Sequence, residues 1–374
     1  MIAAKPASDL DDFHDRAGIG RMTQGTLATS DYTTALQGAK SHRIPAFDFT
    51  KGTLVLFMVL YHWLNYFYGP QGDIYKYLRF LTPSFIFITG FLISHVHFPK
   101  YGVGSPKLSK RLLLRGAKLL LVFIALNMLV SIWEPTSFVS IILSGRMAFS
   151  NLDPIFFTGT TSASGSGKLA AFTILVPISY LLMLSALLSI ACRIFKYTFL
   201  VACVFLLICM VVLDLHGIES SNVELGAIGL LGVAFGYASE DAIHKLVSRP
   251  WIILAAYGAY LAAITIWDVS LYMQMAGACL TTALIYMVGA QRGVPGKLRS
   301  HIILLGKYSL FGYISQIAIL QLLSAAFRHA HCGFLTLGFS LIAGFALTMI
   351  SVEAADRIRA RSKAFDAVYR SVFA

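Results

Sequence analysis

The sequence predicts an all-α protein, a polytopic integral membrane helix bundle of about ten transmembrane helices with both termini in the cytoplasm. Three observations predict it. The first is composition: 57% of residues are apolar, only 13% are charged, and the mean hydropathy is +0.72. A soluble domain carries roughly 25% charged residues. Half that charge cannot cover a water-soluble body of 40.9 kDa. The second is a series of continuous apolar runs, each near the roughly 20 residues that a helix needs to cross a bilayer core. The third is the placement of Lys and Arg on alternating connections between those runs.

Residues 1–43 come first, and they hold no apolar run and no signal-peptide core. They read as a disordered cytoplasmic tail. The membrane domain follows over 44–353, with spans expected at 46–67, 78–96, 112–131, 171–191, 198–215, 223–239, 251–267, 270–290, 302–326 and 334–353. Their runs are continuous rather than alternating, which points to helices and not to barrel strands. Segment 137–144 is apolar but short, and reads as interfacial or re-entrant. It lies in an external loop, 132–170, that contains Trp133, Glu134, Asp153 and the run SASGSG (162–167). A loop of this length either covers a site or simply connects two spans. Gly232 and Gly236 form a GxxxG pair with Gly226 and Gly229 nearby, so the sixth span should pack closely on a neighbour. The last segment, 354–374, alternates apolar and basic residues as an amphipathic helix on the inner leaflet would.

Charge placement fixes the expected orientation. With the N-terminus inside, 24 of the 30 Lys and Arg residues fall on inner segments, five fall on outer ones, and Lys307 lies within a span. The net charge of +12 is therefore a topological signal rather than affinity for nucleic acid. The five cysteines show no metal or redox spacing and read as small core residues. No metal site is expected, and His329 and His331 alone make a weak case for one.

Three polar features interrupt the apolar spans. DFTKGTLVLFMVLYHW (Asp48–Trp63) places Lys51 and His62 11 residues apart. At about 100° per residue they share one face, roughly 16 Å apart along the axis. Asp48 and Asn65 extend that face, and Asp48 could fix Lys51. A histidine at that depth serves either as a general base or as a hydrogen-bonded structural group. KRLLLRGAKLLL (110–121) places Arg111 and Arg115 on one face at the basic start of the third span. They suit phosphates or lipid headgroups. LGKYSLFGYISQIAIL (305–320) carries Ser309, Tyr313 and Gln316 at helical spacing, a stripe that should face protein rather than lipid. His95 and His97 lie near the interface and are not singled out.

Together these segments resemble the transmembrane acyltransferase superfamily, which includes acyltransferase-3 proteins and bacterial relatives of heparan-α-glucosaminide N-acetyltransferase. FDFTKGTLVLFMVLYH resembles the family's first helix, with a basic residue followed by ten residues and a histidine. LTPSFIFITGFLISH (81–95) resembles the second helix and KRLLLRGAKLLLVF the basic start of the third. FTILVPISYLLMLSALL (172–188) is similar to the segment after the long external loop, and LGKYSLFGYISQ to the late helix with its Ser and Tyr. The likeness covers the first four helices, the ninth and the ten-helix layout. It implies acyl-CoA, usually acetyl-CoA, as co-substrate bound from the cytoplasm, with no permanently bound cofactor. The acyl group would pass to a hydroxyl or amine on the other side, often on a sugar, in the cytoplasmic (inner) membrane. His62 takes the place of the essential histidine, as general base or acyl carrier, with Asn65 orienting it or the acceptor. Lys51, Arg111 and Arg115 would hold the CoA phosphates, and Ser309, Tyr313 and Gln316 would line the acceptor path. Two positions depart from the family pattern. Lys51 is a point charge where the family usually has an arginine, and Gln316 stands where many relatives have a second histidine.

Two rivals fit the same residues. One is a transporter or flippase with His62 and Lys51 as a proton relay, for which Glu224 is the nearest acidic candidate. The other is a structural partner in an envelope-glycan complex, for which His62 would be dispensable.

Overall fold

A computed structural model of the chain describes residues 44–68, 72–130, 154–159, 171–218, 220–267, 269–291, 296–327 and 333–373. The expectations for 1–43, for 137–144 and most of the external loop, and for His329, His331 and Cys332 lie outside them. Among the described residues every regular element is helical, which makes the protein all-α.

The main helices are α1 (Pro45–Trp63), α2 (Leu81–Leu92), α3 (Pro106–Val130), α4 (Leu175–Ala191), α5 (Thr198–Leu215) and α6 (Ser221–Phe235). They are followed by α7 (Glu240–Val247), α8 (Pro250–Ile266), α9 (Leu271–Ala290), α10 (Gly296–Lys307), α11 (Ser309–Phe327), α12 (Phe334–Arg361) and α13 (Lys363–Phe373). Among the described residues, six stretches are long and apolar enough to cross a membrane: Lys76–Tyr101, which contains α2, and those of α3, α5, α9, α11 and α12. The pair α7 and α8, bent by 70°, makes a seventh if counted as one span. α4 and α6 are apolar but have only 17 and 15 residues. α1 has 19 residues, yet Asp48, Lys51 and His62 dilute its apolar character. These helices describe a multi-pass membrane protein.

The polar residues of α1 are tolerated because α1 is surrounded by protein. α2, α9, α10, α11 and α12 all pack on it. Leu54, Val55 and Val59 are fully buried. Two close crossings hold this arrangement. Gly90 of α2 meets the Gly229 carbonyl of α6, and Gly232 meets the Phe87 carbonyl, so a methyl group at either would collide with backbone. That is the close packing expected around Gly232 and Gly236. The second crossing has no such signature in the sequence. Gly52 of α1 lies against the Ile302 carbonyl of α10, and Gly306 lies against the Asp48 carbonyl.

This crossing also accounts for a difference from the sequence expectation. Segment 302–326 reads as one helix, but it breaks at Tyr308 into α10 and α11. α10 is drawn onto α1 by the two glycines, and α11 packs on both α1 and α12.

The chain end differs too. α12 runs on to Arg361 rather than stopping near 353, and α13 follows after Ser362, whose Oγ accepts from the Phe365 N–H at 3.2 Å. α13 is amphipathic, and part of its apolar face is turned to the bundle. Tyr369 packs edge-on to Tyr308 at 5.3 Å between ring centroids, and Phe373 on Phe311 at 5.9 Å. Arg359 ties the junction. Its guanidinium lies 4.2 Å from the Tyr369 ring centroid, donates to Asp366 Oδ1 at 2.6 and 2.8 Å, and donates to the Tyr308 hydroxyl at 2.9 Å. Tyr308 in turn donates to Asp356 at 2.6 Å. The hydrogen bonds from Arg359 hold the Asp366 carboxyl below the usual carboxylate range. Burial pushes the Tyr369 hydroxyl up to about 12.

Candidate functional site

α1 positions the first group of residues. Asp48 lies in its first turn and accepts from Lys51 at 2.7 Å, one turn on. The pair is mostly shielded, so each charge neutralises the other inside the bundle. At the opposite end Trp63 Nε1 donates to Ser340 Oγ of α12 at 2.8 Å, which anchors the last turn. The helix then widens into a π-helical turn, Leu64–Tyr68. Such turns are rare and occur often at functional sites.

His62 sits just before that turn, half-buried. Its ring lies 5.3 Å from Tyr61 and 6.2 Å from Tyr313 of α11, between centroids. The structure thus brings together two expected site residues that are 251 positions apart in the sequence. Asn65 lies in the π-helical turn, exposed, and accepts from the Tyr75 hydroxyl. Tyr75 packs edge-on to Tyr61, so Asn65 joins the site through two tyrosines.

On α11 the polar stripe faces inward as its spacing implied. Tyr313 and Gln316 are buried and Ser309 is half-buried. Gln316 is 0% exposed, and neither its Oε1 nor its Nε2 meets a hydrogen-bond partner among the described residues. An unpaired buried amide costs about 1–3 kcal/mol.

The basic residues do not form one cluster. Lys51 is engaged by Asp48, whereas Arg111 and Arg115 gather with His97 and Tyr101. The Arg111 guanidinium and the Lys100 ammonium lie 5.2 and 5.5 Å from the Tyr101 ring centroid. His97 stacks on the same ring at 6.1 Å, and its Nε2 faces an Arg115 Nη at 3.4 Å. A guanidinium only donates, so this nitrogen of His97 accepts. No acidic residue occurs between Asp73 and Glu134. None of the ion pairs among the described residues involves these cations. An uncompensated group of this kind is suited to an anion such as phosphate. His97 does not stand out in the sequence. The available signal was its i, i+4 spacing to Tyr101, just before the basic start of α3.

A separate cleft of about 270 Å³ opens between α10 and α12, lined by Ser300, His301, Leu304, Glu353, Asp356 and Arg357. None of the expected site residues lines it. Chemically, the His62 region offers an imidazole, a phenol and an amide inside a protein-lined part of the bundle, and the α3 start offers an anion site. Compared with protein-family models, with curated proteins and with solved structures, the chain matches none.

Proposed function

We propose that the protein is an integral membrane acyltransferase that moves an acyl group, acetyl in the first instance, from acyl-CoA to a hydroxyl or amine of an envelope carbohydrate or similar acceptor. The observation that carries this reading is the pairing of His62 with Tyr313, next to the buried Gln316 amide, inside the helices that surround α1. In the reaction, His62 takes the proton from the acceptor O–H or N–H while the acceptor heavy atom bonds to the thioester carbonyl carbon. The C–S bond breaks, and the departing thiolate takes up the proton, giving free CoA and the acylated acceptor. Arg111 and Arg115 hold phosphate groups of CoA, and Lys51 would join them only by exchanging Asp48 for a phosphate oxygen. Ser309, Tyr313 and Gln316 line the acceptor path, and Asn65 orients the acceptor at the far end.

The reading includes ten crossings, with α1, α4 and α6 among them, both termini in the cytoplasm and residence in the inner membrane. Charge placement supports this, since 24 of 30 Lys and Arg residues then lie on one face. A transporter is the second reading. The observation favouring it is the 70° bend between α7 and α8, a discontinuity of the kind transporters use.

Purified protein retaining radiolabelled acetyl-CoA and transferring the label to envelope glycans is the expected result. Replacing His62→Ala should lower transfer by at least about 100-fold while leaving retention intact. Near-normal transfer by that variant would sink the mechanism. Absence of retention in the parent protein would favour the transporter.

A further inference from the structure

We infer that Asn127 and Phe172 are positioning residues that hold Tyr313 against His62, an inference that rests on the reading of His62 as the reacting base. Neither residue stands out in the sequence. Asn127 lies near the end of α3, in an apolar run, and is 0% exposed. Its side chain donates to the Phe123 carbonyl at 2.9 Å, donates to the Ala171 carbonyl at 3.0 Å and accepts from the Ala171 N–H at 2.8 Å. One buried amide thus satisfies both backbone polar groups of a single residue, and so fixes the orientation of the chain there.

The next residue shows the consequence. Phe172 has φ of 57°, and among the described residues it is the one non-glycine with positive φ. A bulky side chain avoids that region, because its Cβ crowds the backbone. Such a conformation persists only where the surroundings impose it, and it is found most often at functional sites. Here the surroundings are the Asn127 clamp on one side and α4 on the other, where the Phe172 carbonyl accepts from Leu175 N–H at 3.0 Å. The product is a ring held ahead of α4 and against α11. Phe172 is 6% exposed, and its ring meets Tyr313 edge-on, at 6.0 Å and 84°. Tyr313 then faces His62 across 6.2 Å. The chain of contacts runs from α3 through the start of α4 to α11 and α1.

A positioning role follows from what a base requires. It must reach the proton it removes within about 2.6–3.2 Å. Tyr313 is the neighbour on α11 that limits where the His62 ring can lie, and Phe172 limits where Tyr313 can lie. A ring pinned by a strained backbone is a stiffer support than one on an ordinary loop, because the strain leaves a single accommodated conformation.

The test uses the full-length protein in lipid nanodiscs, with Phe172→Gly as the principal variant. Glycine accepts a φ of 57° without a clash, so the backbone is kept and only the ring is lost. Asn127→Leu removes the clamp at similar volume. Two readouts are taken. The first is the rate at which diethyl pyrocarbonate modifies His62, followed by peptide mass spectrometry, with exposed His301 as internal reference. The second is kcat and KM for transfer from acetyl-CoA. In Phe172→Gly the His62 rate should rise several-fold relative to His301. kcat should fall by about 100-fold, the effect of misplacing a reacting group by about 1 Å, and KM for acetyl-CoA should stay unchanged. An unchanged His62 rate in Phe172→Gly overturns the inference, as does a loss expressed wholly in KM. If the parent protein transfers no acyl group, the functional reading fails, and the modification rates still decide whether Phe172 positions His62. Asn127→Leu should raise the His62 rate in the same direction, and an unchanged rate in that variant removes Asn127 from the inference.

Discussion

Asn127 and His62 illustrate how differently single residues announce themselves. A histidine, a lysine and an aspartate inside an apolar run stand out, because each is costly there without a protein partner. The structure supplies such partners: Asp48 for Lys51, and the tyrosines of α1 and α11 around His62. Tyr313 and Gln316 were legible for the same reason, as polar groups at helical spacing. Asn127 and Phe172 were not, because their significance lies in a backbone angle and a hydrogen-bonding pattern that no spacing encodes. His97 was hidden by its position near the end of a span, where basic residues are ordinary. At this scale the informative variant is Gln316→Leu. Removing an unpaired buried amide should raise stability by about 1–2 kcal/mol, read as a higher unfolding temperature in detergent. If the amide serves the acceptor, transfer should fall at least about tenfold. A stabilised variant with undiminished transfer would remove Gln316 from the site.

Among the elements, the α1–α10 and α2–α6 crossings carry the tightest constraints. Gly52→Ala or Gly306→Ala places a methyl group on a backbone carbonyl that has no side-chain freedom to yield. Either should cost about 3 kcal/mol or more. Gly258→Ala in α8 and Gly338→Ala in α12 meet nothing within 4 Å, and should be neutral or stabilising by up to about 1 kcal/mol. Thermal unfolding of the four variants checks the contrast. Equal behaviour would mean that the close crossings are absent. The α2–α6 contact was readable from clustered glycines, whereas Gly52 and Gly306 are isolated in sequence and meet only once the chain folds. The α12–α13 junction has a pH signature. The Asp366 carboxyl is held low by Arg359. Its contribution is therefore complete above the ordinary carboxylate pKa of about 4. It is lost as pH falls through the lower folded value. Limited proteolysis near Ser362 should accelerate below about pH 4 in the parent protein, and already at neutral pH in Asp366→Asn. Resistance of that variant at neutral pH would show that the ion pair does not hold α13.

At the scale of the whole molecule the sequence was most informative about class and least about count. Composition pointed to a membrane protein, and the continuous apolar runs to a helical one. Length decides which helices cross, and the 15- and 17-residue helices α6 and α4 sit near the limit. Single cysteines placed in a cysteine-free background at Lys196 and Lys363 should react with an impermeant maleimide only from the cytoplasmic face. One at His216 should react only from the opposite face. Labelling of Lys196 and Lys363 from different faces would refute the ten-crossing arrangement. The central position of α1 also has a consequence for how the protein is made. α1 emerges early, yet the helix it crosses most closely follows 250 residues later, at Ile302. During synthesis α1 must therefore wait in or beside the lipid without the partners that later enclose it. The Asp48–Lys51 pair makes that interval tolerable, because the two charges cancel within one turn of their own helix and need no later-arriving segment to neutralise them.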